Sequence, residues 1–103
     1  LITLSPAKLE RLRELCRAYQ VVRLELFGSA TRADFEPARS DIDLLVEFAP
    51  QADLGPWMAR YFELRDQLAA LFEREVDLVL AKGLRNPYLL RAIEQDKRVL
   101  YAA

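Results

Sequence analysis

Asp41-Ile42-Asp43 sets two carboxylates one residue apart, and Val76-Asp77-Leu78 offers a third in a similar apolar setting. On a β-strand successive side chains alternate sides, so Asp41 and Asp43 share one face while Ile42 anchors the strand from the other. Nucleotidyl transfer suits such a group. Its barrier is dominated by charge on the phosphorus oxygens and by in-line placement of the nucleophile, so the protein's task is electrostatic and positional. Two divalent cations about 3.5–4 Å apart meet both needs. Magnesium held by converging carboxylates still leaves room for waters and substrate phosphates. Asp77, on a neighbouring strand of matching parity, supplies a third ligand and a group to take the proton of an attacking hydroxyl. Gly28-Ser29 stands where a strand ends, and bare amides with a hydroxyl there suit phosphate oxygens. Taken singly, these features have plainer explanations: Asp-x-Asp caps turns, and Gly-Ser punctuates loops.

The surrounding pattern supplies the elements needed to position these groups. Ser5-Pro6 opens a helix that runs to about Tyr19, with Leu9, Leu12, Cys16 and Tyr19 recurring on one stripe. From Val21 to Phe27 the period becomes two, with Val22, Leu24 and Leu26 set against Arg23, Glu25 and Phe27. A polar stretch after Gly28-Ser29 reads as a short helical turn and a loop. A second strand follows, with Ile42, Leu44, Val46 and Phe48 opposite Asp41, Asp43, Leu45 and Glu47. After Gly55-Pro56, Trp57, Tyr61, Leu64, Leu68, Leu71 and Phe72 keep helical spacing to about Arg74, which assigns Trp57, Tyr61 and Phe72 to the core. Val76 to Leu80 alternates as a third strand. Asn86-Pro87 opens a last helix, and Arg98 to Tyr101 forms a short edge strand. The order predicts an α/β (α+β) fold: a small mixed sheet with helices mainly on one face, the other face open and carrying the aspartates.

Composition narrows the chemistry. The length of 103 residues suits one domain spanning 1–103, and 52% hydrophobic against 30% charged residues is a folding mixture. Fifteen Lys and Arg face sixteen Asp and Glu, so no net positive field draws nucleic acid, and no direct nucleic-acid partner is expected. Nothing reaches the roughly 18 apolar residues of a membrane span, nor does a charged leader precede an apolar core, which points to the cytoplasm and away from a membrane partner. With one cysteine, Cys16, and no histidine, a structural zinc set is missing and any metal must be a hard cation on oxygen. Cys16 reads as inert packing.

The joint pattern is more specific than its parts. Gly28-Ser29, then eleven residues, then Asp41-Ile42-Asp43-Leu44-Leu45-Val46, and later Val76-Asp77-Leu78-Val79, resemble the minimal nucleotidyltransferases of the DNA polymerase beta superfamily. The resemblance covers nearly the whole chain. It implies the polymerase-beta-like nucleotidyltransferase fold, with Gly28 and Ser29 at the triphosphate, Asp41 and Asp43 as shared metal ligands and Asp77 as the third carboxylate. Arg32 matches an arginine that commonly follows the Gly-Ser pair. Two departures fall in the intervening loop: one extra residue before Asp41, and Ala33 where the family often has Gly.

Chains of this minimal kind resemble the antitoxins paired with HEPN-domain ribonuclease toxins. That resemblance implies ATP and Mg²⁺ as co-substrate and cofactor, and adenylylation of a tyrosine on the toxin. A bulky anionic nucleotide beside a ribonuclease site obstructs and repels RNA. The alternative is a binding module that neutralises its partner by occlusion, the aspartate site being a remnant or a sensor. Three converging carboxylates favour catalysis, since an occluding surface has no need of them. Transfer to RNA fits the neutral charge poorly, and transfer to a small antibiotic would need a walled pocket that so short a chain can scarcely build.

Overall fold

A computed structural model of the chain describes residues 4–28, 41–81, 87, 90, 91, 94 and 97–103. Helix α1 spans Pro6–Ala18; Ser5 Oγ accepts the Lys8 N–H at 3.3 Å and Pro6 fills the first turn, where its missing donor is harmless. Leu12, Leu15 and Cys16 form its buried stripe, with Leu9 and Tyr19 half-buried beside them. Its far end is closed from another element, because Arg60 donates to the Ala18 carbonyl at 2.9 Å and lays its guanidinium 4.6 Å from the Tyr19 ring centroid.

Strands β1 (Val21–Phe27), β2 (Ile42–Phe48), β3 (Val76–Leu80) and β4 (Arg98–Ala102) form one sheet in the order β3-β2-β1-β4. The β1 strand lies antiparallel to β2 and β4, while β2 and β3 run parallel. This is the mixed sheet the sequence predicts. Helix α2 (Ala59–Phe72) packs on β3 and α1, and α1 on β1. Together they bury Leu24, Leu26, Ile42, Leu44, Val46, Val76 and Leu78 against Leu64, Leu68 and Phe72. A bulge near Val21–Arg23 shifts the phase of β1, so Val21 is buried and Val22 is not.

The second face is uneven. Over β3 it is open, and Asp77 is exposed there. Over β1 it is closed, contrary to the simple expectation of an open face: Phe27 is buried and Glu25 is 5% exposed. The Glu25 carboxylate accepts from Arg23 Nε at 2.8 Å and faces Lys97 Nζ at 3.6 Å, so its burial is compensated by two cations.

Trp57 departs from its expected place in the core. It is 94% exposed, in a short 3₁₀ turn (Pro56–Met58) before α2 begins. Asp53 Oδ1 accepts the Gly55 N–H at 2.9 Å, Gly55 takes φ 77, and Trp57 and Met58 both lie in the left-handed region. That reversal breaks the helical phase, so the stripe begins at Tyr61 instead. At the other end α2 stops at Phe72 rather than Arg74, because Glu73 turns to φ 58. The turn and loop expected after Ser29 lie outside the described residues. Most of the last helix does as well, though Pro87, Leu90, Arg91 and Glu94 are helical.

Candidate active site

The β2–β3 register sets Asp43 beside Asp77, and the β1–β2 register sets Asp43 opposite Phe27, the residue before Gly28. Neighbouring strands lie about 4.8 Å apart, so the two carboxylates share one rung on one face. Asp41 precedes β2 and is exposed. Between them, Ile42 is fully buried, and its N–H donates to the Glu75 carbonyl at 3.0 Å, opening the β2–β3 ladder. The anchoring role read from the sequence for Ile42 is thus its observed position.

Asp43 is half-buried, and its carboxyl is pushed above the usual carboxylate range first by burial, then by the charges of Asp77 and Asp41. Asp43 therefore stands within reach of both other carboxylates. The three do not yet form a closed cage: among the described residues no three His, Cys, Asp or Glu side chains already sit as a metal-ligand cluster. The donor set still fits magnesium in kind. It is all oxygen, it carries mutual repulsion that a cation relieves, and magnesium completes its shell with waters and substrate phosphates.

Gly28 meets this group through its backbone. A Cβ built on it would lie 2.4 Å from Asp43 Oδ2, and its φ of +74° is a conformation that side-chain-bearing residues rarely adopt. Only glycine allows the strand end to approach that carboxylate so closely. Of the residues singled out from the sequence, Gly28, Asp41, Asp43 and Asp77 come together; Ser29 and Arg32 lie outside the described residues.

One neighbour of the site was not singled out as a site residue. Tyr61, assigned by its spacing to the core, is half-buried, and its hydroxyl donates to the Leu78 carbonyl, one residue past Asp77. Burial raises its pKa most; Arg65 opposes and Asp77 adds to the rise. A single tyrosine on an apolar stripe carries no signal that its tip reaches a strand edge.

Residues 9–100 match the nucleotidyltransferase domain family. The chain belongs to that family. As a minimal nucleotidyltransferase it is homologous to candidate protein adenylyltransferase MJ0128 of Methanocaldococcus jannaschii, 40% identical over 76% of this chain and 74% of the relative. Protein adenylyltransferase MntA of Thermococcus cleftensis is 32% identical over 72% of this chain and 70% of its own length. Among solved structures, a candidate minimal nucleotidyltransferase superposes with TM-score 0.69 at 30% identity, covering 89% of this chain and 88% of that one. A toxin–antitoxin crystal structure with AMP-PNP gives TM-score 0.65 at 26% identity, over 92% of this nucleotidyltransferase and 73% of that chain. A complex of a tri-AMPylated Shewanella oneidensis HEPN toxin with its MNT antitoxin shares the fold, with TM-score 0.61 at 24% identity over 94% and 71% of the two chains. Among the described residues no helix of this nucleotidyltransferase is long and apolar enough to cross a membrane.

Proposed function

We propose that this nucleotidyltransferase transfers AMP from ATP to a hydroxyl of a partner protein, specifically a tyrosine of a HEPN ribonuclease toxin, and so acts as the antitoxin. The observation that carries the reading is Asp43, held between the Gly28 turn and Asp77 with its charge already opposed by two neighbouring carboxylates. Likeness to protein adenylyltransferases and to a toxin–antitoxin structure with an ATP analogue supports the donor and the partner.

Asp41 and Asp43 are the residues that would hold Mg²⁺, with Asp77 as third carboxylate. When bound, the cation neutralises charge on the phosphate oxygens and on the leaving pyrophosphate. Gly28 brings the backbone to the triphosphate, joined by Ser29 and Arg32, which follow it in the sequence. The acceptor oxygen attacks the α-phosphorus, the bond to the β-phosphate's bridging oxygen breaks, and Asp77 takes the hydroxyl proton. Pyrophosphate leaves. The ATP donor and ribonuclease partner put this reaction in the cytoplasm.

The test combines purified chain, partner toxin, ATP and Mg²⁺, with intact-mass measurement of the toxin. The expected result is a gain of one or more adenylyl groups, lost in the Asp41→Asn, Asp43→Asn double variant. A gain that persists in that variant removes the carboxylates from the reaction. Full neutralisation of the toxin by the variant, at equal concentration and without any gain, assigns the chain to occlusion instead.

A further inference from the structure

Strand β3 lies at the outer edge of the sheet, so among the described strands it is hydrogen-bonded along one side only, to β2. The ladder shows which side faces which way. The Glu75 carbonyl accepts from Ile42 N–H, and Ala81 N–H donates to the Val46 carbonyl at 2.9 Å, so odd-numbered residues of this segment turn their backbone groups toward β2. Even-numbered residues turn theirs outward. Asp77 therefore sits in the ladder, while the Leu78 carbonyl points to the open edge.

That edge carbonyl is the one Tyr61 caps. Tyr61 stands in the first turn of α2, a helix held in the core by Leu64, Leu68 and Phe72. The ring packs against that core, with Phe62 edge-on at 4.9 Å and 80°. Its hydroxyl reaches the sheet edge at Leu78, the residue next to Asp77.

Such a hold has a purpose here. Like charges on facing positions of adjacent strands repel, and Asp43 and Asp77 face each other on the rung that β3 shares with β2. The β2 strand is flanked by a strand on either side and cannot readily move; β3 can yield outward. We infer that Tyr61 is a positioning residue of this site: by capping the outer-edge carbonyl of Leu78 it fixes β3, and with it the Asp77 carboxylate, opposite Asp43. The inference rests on the proposed transfer reaction for its consequence, although the edge cap itself is testable without it.

Asp41, Asp43 and Gly28 lie at or beside β1 and β2, so loss of the cap leaves those groups in place for ATP and misplaces Asp77, the third carboxylate and proton acceptor. Tyr61→Phe keeps the packed ring and removes the donor. In the adenylylation assay its kcat falls about 10–100-fold, the scale of a displacement near 1 Å, while the ATP KM stays within about twofold. Amide exchange read by residue quickens over 76–80 and at Ile42, Leu44 and Val46, whose N–H groups face β3, and is unchanged at Asp43, Leu45 and Glu47, which face β1. Gln67→Ala, at an exposed position of the same helix away from the Tyr61 ring, alters none of these.

Unchanged kcat in Tyr61→Phe overturns the inference. So does a parallel loss of kcat and ATP binding with a lowered thermal midpoint, which marks plain structural damage. If the wild-type chain transfers nothing, the proposed function fails; the exchange measurement then decides the cap, with unaltered exchange over 76–80 overturning it and faster exchange confined to the β2–β3 ladder supporting it.

Discussion

Asp43 occupies a position that opposes folding. Burial and two neighbouring carboxylates raise its pKa in the folded state above the ordinary value. Between the ordinary carboxylate range and that raised value the folded chain binds more protons than the unfolded one, so stability falls as pH rises through the window and the penalty is fully present above the raised value. Asp43→Asn removes the charge with almost no change of shape. The variant therefore melts a few degrees higher than wild type at pH 7, and the difference shrinks as the pH falls through the raised value and is gone once the wild-type carboxyl is protonated in both the folded and unfolded chain. Melts followed by circular dichroism at pH 7 and down through that window check this, and the same variant loses transfer. A stabilising substitution that abolishes activity is the signature of a site maintained for function rather than for the fold.

At the scale of elements, α2 shows how much depends on phase. Phe72 is 4% exposed at the end of its buried stripe, whereas Trp57 stands 94% exposed ahead of it. Phe72→Ala is expected to lower unfolding stability by about 3–5 kcal/mol and Trp57→Ala to change it by less than about 0.5 kcal/mol, measured by urea titration. The periodicity that placed Phe72 correctly misplaced Trp57, since spacing cannot reveal that Gly55 and two left-handed residues interrupt the helix just there. The aspartates were legible for the opposite reason: parity along a strand is a local property, and Asp41, Ile42 and Asp43 carry it within three residues. Strand order is not local. Nothing in Val76 to Leu80 tells that β3 lies at an edge, so the part Tyr61 plays there could not be read. Glu25 was read as the polar side of β1, and its burial depends on Lys97, far along the chain. The approach of Gly28 to Asp43 belongs to the same class, as it joins a turn to a neighbouring strand whose register only the fold sets.

For the whole molecule, the balance of fifteen basic and sixteen acidic residues leaves a net charge of -1, so docking of a partner must come from local fit more than from long-range attraction. The core that supports this surface runs unbroken from α1 through the sheet to α2, and Cys16 lies at its α1 side, fully buried. Burial pushes the Cys16 thiol up to about 12, so at pH 8 the reactive thiolate is scarce as well as shielded. Trp57, the only tryptophan, is at the opposite extreme of exposure. The two residues therefore report different events. Alkylation of Cys16 at pH 8 is expected to be negligible in the native chain and to rise along the same urea curve as the loss of ellipticity, while Trp57 emission sits at the position of a solvated indole throughout and shifts little. Rapid alkylation before the ellipticity changes would show α1 leaving the sheet on its own. Coincidence of the two curves would show that the helix covering β1 and the strands holding Asp43 come apart together, so that the carboxylates keep their spacing for as long as the core exists.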